Sequence, residues 1–175
     1  MIFNGPQMHL MLNHLPIVGF IFLVPILLLV IWRGDDRIRR LALLGTFVVA
    51  LLAIPAYLTG EPAEEGVEHL PGVTESAIHE HEEAAEASLV VALITGGLAL
   101  AGYILGRRQP SRLRIATKIV FVGTLFASTS MAKVGHDGGK IRHPEITGST
   151  HSDGGEGGHE GNDKKEDHDG AGDEK

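Results

Sequence analysis

Apolar positions along this chain gather into four long blocks and then stop. Three of the blocks, Leu15 to Trp32, Leu41 to Gly60 and Ala87 to Gly106, hold no charged residue, and each is close to the roughly 20 residues a helix needs to cross a hydrocarbon core. The fourth, Ile115 to Gly135, carries Lys118 and Lys133, both near its ends, where a long side chain reaches the interface. The pattern predicts an all-α fold, a four-helix transmembrane bundle seated in the lipid bilayer. Small residues four apart, Gly97 with Ala101, Gly102 with Gly106, Gly123 with Ala127 and Thr124 with Ser128, are expected to let helix backbones approach closely. Pro16 falls in the first turn of its span, whereas Pro25 and Pro55 fall inside theirs and should bend them.

Beyond the fourth block the composition changes. From Thr147 to Lys175 there is no Val, Ile, Leu, Met, Phe, Trp or Tyr, only Gly, Asp, Glu, His, Lys and other small or polar residues. Such a segment buries too little apolar surface to offset its chain entropy. The expected organisation is a transmembrane domain over residues 1–146 and an acidic, His-rich disordered C-terminal tail over residues 147–175. With no cysteine in 175 residues, disulfides, thiolate metal sites, iron–sulfur clusters and covalent c-type haem attachment are excluded. A net charge of −7 argues against nucleic acid as a partner and for cations.

Charge also orients the bundle. Nine of the fifteen basic residues lie in the two short connections between spans one and two (Arg33, Arg37, Arg39, Arg40) and spans three and four (Arg107, Arg108, Arg112, Arg114, Lys118). This is the positive-inside signature, so both termini are expected on the outer, periplasmic side of a bacterial inner membrane. The first block has no basic residue before it and no small-residue cleavage site after it, so it is expected to stay in the mature protein.

All ten histidines and twenty of the 22 carboxylates fall at or beyond the outer boundary. The connection Glu61 to Glu86 has nine Glu, three His and no basic residue. Thr74 is a plausible N-cap for a helix running on into span three. On that helix Glu75, His79, Glu82 or Glu83, and Glu86 share a face, an arrangement that suits a metal ion, although for this segment alone a solvated helix start is the favoured reading. His14 opens span one and His136 closes span four, so three separate segments bring imidazole to one layer. Two kinds of site compete. A b-type haem would take axial ligands from His14, His79 and His136, with Lys133, Lys140 or Arg142 near its propionates. A transition metal ion would take His14, His79, Glu82, Glu83, His136 and His143. A metal-dependent hydrolase has no supporting motif.

The His-Leu-Pro of span one (His14, Leu15, Pro16), G-E-P-A-E-E after span two, H-E-H-E-E-A-A before span three and G-G-K-I-R-H-P-E-I after span four resemble a family of small four-span bacterial inner-membrane proteins catalogued as a domain of unknown function. Members are sometimes fused to c-type cytochrome modules. The resemblance implies respiratory electron transfer, with a periplasmic or membrane redox protein as partner, and it tips the choice toward haem b. Non-redox handling of divalent metal, or service as an accessory subunit, are the alternatives.

Overall fold

The computed structural model of the chain describes residues 5–142, Arg142 by its backbone alone. Every regular element among the described residues is a helix: α1 (Gly5–Arg33), α2 (Asp36–Leu58), the short α3 (Gly60–Glu64), α4 (Glu75–Leu105) and α5 (Pro110–Arg142). Local chemistry sets their ends. Gly34 takes φ +81° between α1 and α2, a conformation that favours glycine, and Asp35 then caps α2 by accepting from the Arg37 amide at 2.7 Å. Arg39, buried among the helices, donates to Asp36 at 2.6 Å and to the Gly34 carbonyl at 2.7 Å, which ties the turn to the bundle. Thr74 caps α4 as expected, its Oγ1 accepting from the Ala77 amide at 3.3 Å. From there α4 runs without a break into the third apolar block.

The long helices pack in a ring, α1 beside α2, α2 beside α4, α4 beside α5, and α5 beside α1. Helices α1 and α4 therefore stand on a diagonal. Each helix buries a stripe with the alternating three- and four-residue spacing of a left-handed bundle. In α1 the stripe is Pro16, Phe20, Leu23, Leu27 and Val30; in α4 it is Ser88, Ala92, Thr95, Ala99 and Gly102; in α5 it is Leu113, Thr117, Val120, Thr124, Ala127 and Met131. Much of this core is small. A Cβ on Gly96 would lie 2.5 Å from Ala50 Cβ, and one on Gly102 2.5 Å from Ala116 Cβ. Gly97, by contrast, has nothing within 4 Å and Ala101 is exposed, so the expected Gly97–Ala101 contact gives way to Gly96 one residue earlier. Buried Thr46, Thr95 and Thr117 are satisfied within their own helices, donating to the carbonyls four residues back.

Outside the ring the surface is apolar: Phe22, Ile26, Leu28, Leu41, Val48, Ile94, Ile104, Ile119, Val122 and Phe126 are all exposed. In water such a belt would be a large liability; in lipid it is the solvated face. All four long helices are long and apolar enough to cross a membrane, as the sequence predicts, and the chain is a multi-pass membrane protein. The expected tail, with His151, His159 and His168, lies outside the described residues, as does His143.

Helix lengths place the site. With 31 and 33 residues, α4 and α5 are roughly 46 and 50 Å long at 1.5 Å per residue, against a hydrocarbon core of about 30 Å. The excess, the first three turns of α4, the last two of α5 and the first two of α1, projects from the end of the bundle opposite the arginine-rich turns. That end is called outer below.

Candidate functional site

At the outer end the projecting turns of α1, α4 and α5, with α3 and the connection that follows it, enclose a cavity of about 1090 Å³. Most of its wall is apolar, from Ile17, Ala53, Val67, Ile78, Leu89 and Met131 among others; the polar groups in it are few and convergent. The buried stripes explain which they are. Continued outward at the same spacing, the α1 stripe passes through Asn13 and His9, the α4 stripe through Ala85, His81 and Ile78, and the α5 stripe through Val134, Gly138 and Ile141. All of these line the cavity. His9 and His81 thus come from diagonal helices, close enough for His81 to sense the charge of His9.

His9 is fixed in tautomer and direction. Its Nδ1 lies 3.0 Å from the Ala56 carbonyl and 3.2 Å from Thr59 Oγ1. A carbonyl accepts only, so Nδ1 carries a proton, and in the neutral ring Nε2 keeps its lone pair. Thr59 Oγ1 spends its own proton on the α2 carbonyls of Pro55 or Ala56, each at 2.9 Å. This is the outer-shell arrangement that holds metal-ligating imidazoles. His81 is set differently. Its Nδ1 is buried without a partner at hydrogen-bond distance, the ring interacts with the Val134 backbone, and it packs on Gly138, where a Cβ would come within 3.0 Å of Cε1. Any residue larger than glycine at 138 would push that ring away. Asn13, a turn beyond His9, has a buried Oδ1 that is also unpaired.

Glu64 on α3 completes the polar set. Burial raises its carboxyl to about 7, helped by the hydrogen bond that protonated Glu64 donates to Glu82, by charge repulsion with Glu82 and by the charge of Glu61. Below about pH 7 Glu64, on α3, carries a proton that it can donate to Glu82 on α4.

Of the residues singled out in the sequence, His14 lines the cavity but is exposed, its Nδ1 donating to the Leu10 carbonyl at 2.6 Å. His79 is 69% exposed and lies 3.7 Å from Glu82 and 3.4 Å from Glu83 along its own helix. His136 is exposed on α5. These three rings are not brought together as ligands of one centre. Lys133 and Lys140 sit on either side of Asp137, at 2.6 and 3.5 Å, and neither lines the cavity. For Arg142 the helix backbone alone is described, and His143 lies beyond. Among the described residues, no group of three or more His, Asp or Glu side chains is spaced to hold a metal ion.

The donor set is therefore two imidazoles on diagonal helices, one pre-oriented and one with an unpaired buried nitrogen, around a large apolar space floored by glycine. His9, His81, Asn13 and Glu64 were passed over in favour of residues at the span boundaries, although the heptad-like stripe was present in the sequence and points to the first three. No protein-family model, curated protein or solved structure matches the chain.

Proposed function

We propose that this is a multi-pass protein of the bacterial inner membrane, both termini periplasmic, whose outer cavity holds a b-type haem between His9 and His81 for electron transfer with a periplasmic or membrane redox protein. The observation that carries this reading is the pair of imidazoles meeting in one apolar cavity, with His9 Nδ1 locked on the Ala56 carbonyl so that Nε2 is left as a ligand. A bound haem would supply a one-electron couple. The chain's own part is to hold the two rings, exclude water with the apolar wall, and keep Gly138 clear so that His81 retains its position. The arginine-rich turns at the other end support the orientation.

The test is a reduced-minus-oxidised absorption spectrum of the detergent-purified protein, with metal analysis of the same sample. The expected result is a Soret and an α band at one iron per chain or fewer, lost in His9→Ala and in His81→Ala and retained in His14→Ala and His79→Ala. Stoichiometric zinc or copper without haem, or no cofactor after supplementation with hemin, would overturn the reading.

A further inference from the structure

The outer cavity has a side as well as a top. On α1, Leu10, His14, Ile17 and Ile21 follow one another at helical spacing and line the cavity, yet Leu10 is 59% and Ile21 46% exposed. On the facing edge of α5, Ala132, Gly135 and Gly139 likewise line the cavity and are exposed. These residues are both wall and outer surface, so the seam between α1 and α5 is one side chain thick. The α5 edge carries nothing larger than a methyl group. At Gly135 the tip of Ile17 closes the seam, its Cδ1 3.3 Å from where a Cβ would stand; at Gly139 there is nothing within 4 Å. Toward the inner end the same two helix faces continue, seven residues on, to Leu28 of α1 and Leu125 of α5, both exposed members of the apolar belt.

We propose that the cavity takes its ligand sideways from the bilayer through this seam, and that the ligand is a membrane-dissolved amphiphile whose polar part donates a hydrogen bond to Asn13. Continuity between the seam and the belt argues for arrival from lipid. The polar end of the ligand is argued from Asn13 Oδ1, a buried acceptor left unpaired inside the cavity, which costs stability until a donor reaches it. A thin apolar seam passes chains and flat rings and resists hydrated ions. This amphiphile and haem would compete for the one cavity, so the labelling is done on haem-free protein, where failure of the route and failure of the haem reading are separable.

The chain has no native cysteine, so a single thiol reports on the cavity. In vesicles, the Ala85→Cys thiol is treated with a membrane-partitioned pyrenyl maleimide or with a charged, water-soluble methanethiosulfonate. The pyrenyl reagent is expected to react. Adding Gly139→Trp, which fits open space, or Ala132→Phe should slow that reaction several-fold and leave the charged reagent's rate unchanged, while Gly97→Trp on the lipid surface far from the seam should alter neither. Dodecanol, which has a hydroxyl donor, should protect the thiol and dodecane should not, a difference that Asn13→Leu removes. Reaction with the charged reagent alone, equal slowing of both reagents, no effect of either seam variant, or equal protection by the alcohol and the alkane would each overturn the proposal.

Discussion

A step of one residue turns a side chain by about 100° around a helix axis, and at the outer end of this bundle that step separates half-buried rings from exposed ones. His81 lies on the buried stripe of α4 and His79, two residues earlier, does not; His9 and Asn13 lie on the stripe of α1 and His14 is one residue off it. Imidazoles chosen by their nearness to a span boundary are therefore different from those chosen by phase. Glu64 shows what the cavity does to a charge. Its carboxyl titrates near 7 in the fold because it is partly buried and faces Glu82, against an ordinary carboxylate value near 4.5 when unfolded. The native state thus binds the extra proton between those values, and its contribution to stability is complete below about pH 4.5 and lost as pH rises through about 7. The thermal midpoint in detergent is expected to fall across that window, and Glu64→Gln to flatten the fall; an unchanged slope in that variant would show that Glu64 keeps its ordinary value in the fold.

At the scale of the helices, close approach is decided by which small residue lies in phase. Gly96 and Gly102 each leave room for a methyl group of the neighbouring helix, whereas Gly97 faces open space. Gly96→Leu or Gly102→Leu should destabilise the bundle by about 1–3 kcal/mol through overpacking, and Gly97→Leu should change little, as read by unfolding in mixed micelles. Equal effects at 96 and 97 would refute the packing order. The four spans and the Thr74 cap were legible in the chain because each rests on local composition or on one capping residue, whereas the unbroken passage of α4 into the membrane is settled only by the fold. The cavity was not legible. It exists where the outer turns of α1, α4 and α5 meet α3 and the connection after it, and no single segment contains that information. The stripes of α1, α4 and α5 did contain half of it, since their spacing continues past the last apolar residue and selects His9, Asn13, His81 and Gly138. Glu64 had no such signal: its pairing with Glu82 depends on how α3 packs against α1.

For the whole molecule, the ring of helices separates three environments. An apolar belt faces lipid, arginines cluster at one end, and at the other the carboxylates Glu75, Glu80, Glu83 and Glu86 face outward from α4 while His9 and His81 face inward. The acidic face that reads as metal ligands in the sequence is in the fold a solvated rim, consistent with negative charge at a helix start. The central claim is that His9 and His81 meet in one cavity across the bundle diagonal. Cross-linking tests it directly in this cysteine-free chain: the His9→Cys, His81→Cys double variant is treated with a short bismaleimide and analysed by intact mass. The account predicts mainly one reagent bridging the two thiols, and mainly two singly attached reagents in the His14→Cys, His79→Cys control. Two singly attached reagents on the first variant would contradict it.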